Sequence, residues 1–306
     1  MSMSDVRMLK IIDSLGIPYQ KLPLKLIKKN KFNQLLYCAM TDIGNSPYRE
    51  NNEDYYGVFT HPLDNNLLMS VIADGVGGYA DGGIASLYAT ERLGMFFRKM
   101  SLEEVNNTEL FCLKLEEEVC KINANMLKMA CHVGVTTLSC AVINKDNIII
   151  LSIGDSRVYT YGESLVQVTE DESEVWRDYY QKGLISKDEI RFIRGNNVIT
   201  NALGDTLYIS PEIKVLNKDN MKALLLTTDG VTDILADTVL NQIFLEKFMK
   251  SPEMIVPMII EKAVNGKMET LDEETENKIY DAGGYPKYEI IPGSDNATAV
   301  LTLIRG

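Results

Sequence analysis

Residues 67–78 read LLMSVIADGVGG. From Leu67 to Ala73 the run is almost wholly apolar, as a strand buried on both faces must be. It then stops at once on Asp74 and Gly75. Asp-Gly is a common turn pair, so this junction alone reads as a turn. The construction recurs, however. Residues 147–153 (NIIILSI) deliver Gly154-Asp155, and residues 222–228 (KALLLTT) deliver Asp229-Gly230. Asp295 precedes a last strand-like stretch at 297–304 (ATAVLTLI), and Arg49-Glu50-Asn51-Asn52-Glu53-Asp54 precedes another at 55–60 (YYGVFT). Five acids, each abutting an apolar strand, read as carboxylates gathered at one edge of the sheets. Like charges so crowded must take up protons or bind cations. An all-oxygen set without nearby His or Cys selects hard ions, Mg²⁺ or Mn²⁺. Arg49 adds a guanidinium suited to gripping a phosphate through two parallel hydrogen bonds. Its plainer reading is a surface salt bridge with Glu50 or Glu53. Paired metals can acidify a water and aim it in line at phosphorus.

Outward from these junctions, further strands are expected at 34–42, 135–143, 157–161 and 165–168, and helices at 84–100, 108–131, 232–249 and 252–265. Residues 173–195 have helical spacing broken by Gly183. Strands in hairpins followed by blocks of helices indicate an α+β fold, not a regular βαβ alternation. Residues 4–14 read as a short amphipathic helix and 21–32 as a basic, Lys-rich connector. The chain therefore divides into a basic N-terminal extension, 1–35, and a globular domain, 36–306. Within that domain, 266–292 carries three Lys against seven Asp or Glu, with Gly283-Gly284 and two prolines, and reads as a mobile acidic insertion.

Composition bounds the function. The chain has 306 residues, 45% hydrophobic and 24% charged, which supports a full core and excludes disorder over its whole length. The net charge is −12 and the pI about 4.8, so general nucleic-acid binding is not expected. Residues 1–35 nevertheless sum to +5, leaving −17 on the remainder. Five cysteines at wide spacing, with no CxxC, indicate reduced thiols in a cytosolic setting. The two histidines, His61 and His132, exclude a multi-imidazole zinc site and supply no good member for a Ser-His-Asp triad. The opening MSMSDVRMLK has no signal-peptide pattern, and no apolar run approaches the roughly 20 residues of a membrane span. A cytoplasmic chain without a transmembrane segment is expected.

In chain order the motifs resemble those of the metal-dependent protein phosphatases, the phosphatase 2C family, and above all its compact bacterial members. They are Asp42-x-Gly44 leading to Arg49-x-x-Asn52-Glu53-Asp54; Ala73-Asp74-Gly75-Val76-Gly77-Gly78; Thr136-Thr137-Leu138; Gly154-Asp155-Ser156-Arg157; Thr169-x-Asp171; Ile199-Thr200-Asn201-Ala202-Leu203-Gly204; Thr228-Asp229-Gly230-Val231-x-Asp233; and Asp295-Asn296-x-Thr298. Singly most are weak signals; together, in order, they span residues 37–304.

The resemblance implies a four-layer α-β-β-α sandwich of two antiparallel sheets flanked by helices. It implies hydrolysis of phosphoserine and phosphothreonine in proteins by a metal-bridging water, without a phosphoenzyme. Asp54, Asp74, the Gly75 carbonyl, Asp229 and Asp295 match the ligands of two central Mn²⁺ or Mg²⁺ ions, and Asp155 with Asp229 a third. Arg49 matches the phosphate-binding arginine, and 171–198 the flap beside the site. Phosphorylated proteins and a cognate Ser/Thr kinase are the implied partners, and a monomer is expected. Two positions depart from the family: Val76 stands where many eukaryotic members carry histidine, and Glu172 replaces a common histidine of the Thr169 motif. Two other readings are weighed. Gly75-x-Gly77-x-x-Ala80 after a strand resembles a dinucleotide-binding loop, although Asp74 would repel the pyrophosphate. A phosphopeptide-binding module without turnover is the second.

Overall fold

Residues 138–143, 148–153, 157–161, 223–227 and 297–303 are extended and buried throughout, on both faces, and that dictates layers. The computed structural model describes residues 25–32, 35–76, 82–129 and 134–304. One antiparallel sheet has the order β1 (Lys25–Phe32), β2 (Leu35–Asp42), β13 (Ala297–Leu303), β10 (Ala223–Thr227), β7 (Arg157–Tyr161) and β8 (Leu165–Gln167). The other has the order β3 (Asp54–His61), β4 (Asp64–Asp74), β5 (Leu138–Ile143), β6 (Asn147–Ile153) and β9 (Glu212–Asn217).

Three apolar layers hold these sheets. Between them, Ala39, Val158, Leu224, Leu226 and Val300 of the first sheet meet Tyr56, Leu68, Ile72, Ala141 and Ile150 of the second. Outside the second sheet, α1 (Gly82–Lys99) and α3 (Thr108–Lys128) lay Ile84, Leu93, Phe97, Phe111 and Leu115 against Met69, Val71 and Leu151. Outside the first, α5 (Asp237–Lys247) and α6 (Ile255–Asn265) lay Leu240, Phe244, Ile259 and Ile260 against Met40, Leu225 and Leu301. Each such side chain contributes roughly 1.5–3 kcal/mol by leaving water. The result is the expected α-β-β-α sandwich. Short helices α2 (Leu102–Asn106) and α4 (Asp229–Thr232) complete it; α2 is fixed by a capping box between Ser101 and Glu104.

The expected elements appear within a few residues of their places, with four differences. Residues 25–32, expected inside a basic connector, form β1, which pairs with β2 along its whole length from Lys25↔Asp42 to Phe32↔Leu35. The amphipathic helix expected at 4–14 lies outside the described residues. Strand β9 was not expected. Residues 173–195 are not a regular helix: Trp176–Tyr180 make a π-helical turn and Lys187–Phe192 a 3₁₀ turn, with Gly183 between them at φ 69°. Finally, the 266–292 segment is built, not loose. It contains a two-strand ribbon, β11 (Glu269–Thr270) with β12 (Glu289–Ile290), and helix α7 (Glu273–Asp281). Ile279 and Ile290 are buried in the same core as Ile190, Phe192 and Ile193 of the expected flap. This strap therefore packs on the flap.

Candidate active site

Register brings the first two acids together. Asp54 opens β3, Asp74 closes β4, and the two are direct cross-strand partners. From the other sheet, β10 runs into Thr228-Asp229, while Asp295-Asn296 lead into β13. The Thr228 amide donates to the Thr298 carbonyl at 3.1 Å. Gly230 lets these segments close, since a Cβ there would lie 1.9 Å from the Asn296 carbonyl oxygen. Gly75 does the same on the second sheet, where a Cβ would fall 2.4 Å from the Gly82 backbone. The Thr137 hydroxyl accepts from the Asp74 amide at 2.9 Å and meets Ser156 Oγ at 2.8 Å, tying the end of β4 to the Asp155 turn.

Asp54 is 1% exposed. Its Oδ2 accepts from Thr228 Oγ1 at 2.8 Å and Thr298 Oγ1 at 2.6 Å, while its Oδ1 is buried without a hydrogen-bond partner. Asp229 Oδ1 is buried and unpartnered too, although the Asp229 side chain is hydrogen-bonded to Asp74. A buried polar atom left unpaired costs about 1–3 kcal/mol, more for a charged group. Burial pushes Asp54 up to about 7, with the charge of Asp295 adding to it. Asp74 is held well above the carboxylate range by burial, then by Asp229 and Asp54. Asp229 is raised likewise by burial, then by Asp295, Asp155 and Asp233. Asp155 reaches about 8 through burial, Asp171 and Asp233.

The sequence-predicted acids thus meet. Asp54, Asp74, Asp229 and Asp295 act on one another, and Asp155 stands within electrostatic reach of Asp229. Among the described residues, no three of them are arranged as a ready metal cage. Asp295 is turned to Arg49, whose guanidinium ion-pairs with its Oδ2. Arg49 also lies 3.4 Å from Asn296 Oδ1 and 3.9 Å from Glu53 Oε2. The donor set nonetheless fits a hard cation: all oxygen, like-charged, with two buried oxygens lacking any partner. Gly75 sits at the junction, its amide donating to the Glu53 carbonyl at 3.2 Å.

A family model described as protein phosphatase 2C matches residues 45–261. The chain belongs to the protein phosphatase 2C family. It is 30% identical over 206 residues to protein phosphatase PhpP of Streptococcus pneumoniae, covering 67% of this chain and 82% of that protein. It is 29% identical over 209 residues to serine/threonine phosphatase stp of Listeria welshimeri, covering 65% and 79%. In fold it resembles the crystal structure of serine/threonine phosphatase Stp1 from Staphylococcus aureus, with a TM-score of 0.70 and 23% identity over 95% of this chain and 100% of that one.

Within this phosphatase 2C framework the dinucleotide-loop reading fails, because every paired strand among the described residues is antiparallel and no βαβ unit exists. The sequence alone assigned no role to several residues that hold the site. Thr228 and Thr298 anchor Asp54; Thr41 Oγ1 meets Thr298 Oγ1 at 2.7 Å and accepts from Asn52 Nδ2 at 2.7 Å. Asn296 Oδ1 accepts from the Glu53 amide at 2.9 Å, and its Nδ2 donates to the Ile43 carbonyl at 3.0 Å. Asp233 is half-buried with its pKa raised, first by desolvation, and Asn196 of the flap donates to it. The available signal was a Thr or Asn directly beside an acid at the end of an apolar strand. Glu172 accepts from the Gly154 amide at 2.7 Å and from Asn201 Nδ2 at 2.9 Å, so it ties the start of the flap to the Asp155 turn.

Proposed function

We propose that this chain is a metal-dependent protein serine/threonine phosphatase, with Asp54, Asp74, the Gly75 carbonyl, Asp229 and Asp295 holding two divalent ions, Mn²⁺ or Mg²⁺, and Asp155 with Asp229 a third. The observation that carries this reading is the pair of buried, unpartnered carboxylate oxygens, Asp54 Oδ1 and Asp229 Oδ1, inside a cluster of acids beside an arginine. Family membership and the printed functions of the bacterial relatives support it. When bound, divalent ions supply Lewis acidity that offsets phosphate charge and acidifies water.

The chain's own residues do the rest. The Thr228 and Thr298 hydroxyls fix one Asp54 oxygen and so aim the other into the site. Arg49, on leaving Asp295, presents two parallel N–H donors to the phosphate of the substrate. At position 76 a valine offers no proton to the leaving alkoxide, so that proton comes from water. The substrates are proteins phosphorylated on serine or threonine, and the enzyme that makes them is a Ser/Thr kinase.

The test is hydrolysis of p-nitrophenyl phosphate and of a phosphothreonine peptide with Mn²⁺ or Mg²⁺ titrated in. Turnover that saturates with metal and disappears in EDTA is expected. No turnover at any metal concentration would instead identify a phosphopeptide-binding module.

A further inference from the structure

The strap and the flap meet along a seam of main-chain bonds. The Lys287 amide donates to the Phe192 carbonyl at 2.6 Å and the Arg194 amide to the Tyr285 carbonyl at 2.9 Å. Arg194 Nε donates to the Pro286 carbonyl at 3.0 Å. Several other cations on these two segments are ion-paired: Arg191 with Glu269, Lys278 with Glu189 and Glu274, Lys187 with Asp237, and Lys182 with Asp178. Lys287 and Arg194 have no carboxylate within ion-pair distance among the described residues. Arg194 is exposed and Lys287 half-buried. They stand on a domain that, outside residues 1–35, sums to −17.

Their place in the molecule gives them a use. The flap reaches the acidic centre through Asn196, which bonds Asp233. Arg194 lies two residues before Asn196, and the bonds of the Lys287 amide to Phe192 and of the Arg194 amide to Tyr285 hold both cations on the seam beside that contact. Arg49, on Asp295, belongs to the catalytic centre, whereas Lys287 and Arg194 form a rim at its mouth. Tyr285, 74% exposed between them in the seam, offers an apolar face to an extended backbone.

We propose that Lys287 and Arg194 form a substrate-reading rim that selects phosphoproteins carrying acidic residues beside the phosphoserine or phosphothreonine. The inference rests on the phosphatase reading and names the feature of the substrate that this enzyme prefers. The rim is built by the strap, so its selectivity depends on residues 266–292 remaining seated on the flap. It works by charge complementarity, which fixes register and discriminates partners more than it adds bulk affinity.

The test compares two phosphothreonine peptides, identical except that the flanking residues are glutamate in one and glutamine in the other. Full-length wild type is expected to favour the glutamate peptide in kcat/KM by roughly fivefold at low salt, as two partly exposed charge pairs allow, and to lose that preference at high salt. Lys287→Gln combined with Arg194→Gln should bring the ratio to about one, and the Lys287→Arg, Arg194→Lys pair should keep it, which a merely structural role would not produce. No preference in wild type, or a preference that survives the glutamine pair, overturns the proposal. If wild type turned over neither peptide, the phosphatase reading would fail on its own; the same ratio, read as peptide binding by fluorescence anisotropy, would still decide the rim.

Discussion

Asp54 and Arg191 are both charged and almost fully buried, yet their surroundings are opposite in kind. Arg191 is satisfied from within: its NH1 and NH2 bond the two Glu269 oxygens at 2.7 and 2.6 Å, and NH1 also bonds the Ile234 carbonyl at 3.1 Å. Asp54 has hydroxyls on one oxygen, nothing on the other, and further carboxylates as neighbours. The first arrangement is an internal latch between strap and flap. On the reading proposed above, the second is completed by a cation from outside. A buried charge whose partners lie within the chain thus marks structure, and one whose partners are missing marks function.

Removing a ligand oxygen should break the acidic centre most severely. Asp229→Ala or Asp74→Ala is expected to lower kcat/KM by roughly 10³-fold or more, since metal catalysis is worth several kcal/mol and each 1.36 kcal/mol is tenfold. The fold should survive, because each change also removes a buried like charge. Circular dichroism and a metal titration check this; wild-type rates in either variant would remove that residue from the site.

Arg49→Ala should come next, raising KM for phosphopeptides roughly tenfold to a hundredfold, as loss of charge-assisted hydrogen bonds predicts. Its effect on the metal concentration for half-maximal activity should be much smaller. Thr298→Val tests the anchoring of Asp54 from behind. Metal affinity is expected to fall about tenfold, the lower range for residues that orient ligands. Isothermal titration with Mn²⁺ measures it.

The contrast also predicts a pH dependence. In the metal-free chain, folding raises Asp54 from 3.8 to about 7 and Asp155 to about 8. A raised carboxylate pKa means that the folded state holds its proton more tightly than the unfolded state. That stabilisation is fully present below about pH 4 and is lost as pH rises through 7 and 8. In EDTA the Tm should therefore fall between pH 5 and 8, and Mn²⁺ should restore more at pH 8 than at pH 6. A Tm in EDTA that rises over that range would contradict the buried-acid picture.

How far the sequence reveals these two regions follows from how each is held. The acidic centre is legible because its acids end or follow apolar strands: β6 and β7 lie at the predicted residues, Asp74 closes its strand, and Asp155 and Asp229 follow theirs. Strands β1 and β9 escape because both are sheet edges. An edge strand has one neighbour and carries lysines that deter pairing with other chains, so KLIKKNKF and EIKVLN lack the apolar signal. The strap escapes for a different reason. Helix α7 buries only Thr275 and Ile279, and its remaining residues look like a solvated acidic loop. Its order comes from ion pairs and main-chain bonds to the flap, whose partners are far away in sequence. Thr228 and Thr298 were visible as letters, but nothing in a threonine tells which carboxylate its hydroxyl will meet.

The smallest effect sharpens the comparison from the latch side. Glu269 is half exposed, so its pairing with Arg191 is screened on one side. Glu269→Gln keeps an acceptor oxygen for the guanidinium and removes the charge. The expected cost is about 0.5–1 kcal/mol, a Tm decrease of roughly 1–3 °C in a chain of this size. Hydrolysis of p-nitrophenyl phosphate should stay within twofold of wild type, because this small substrate meets the acidic centre and not the strap. Arg191→Met is the harsher companion, since it leaves the Ile234 carbonyl without its donor and empties the guanidinium's place between strap and flap. If Glu269→Gln instead depressed metal-saturated turnover of p-nitrophenyl phosphate as strongly as it depressed Tm, the latch and the acidic centre would be one cooperative unit, and the division between internally satisfied and cation-completed charge would not hold.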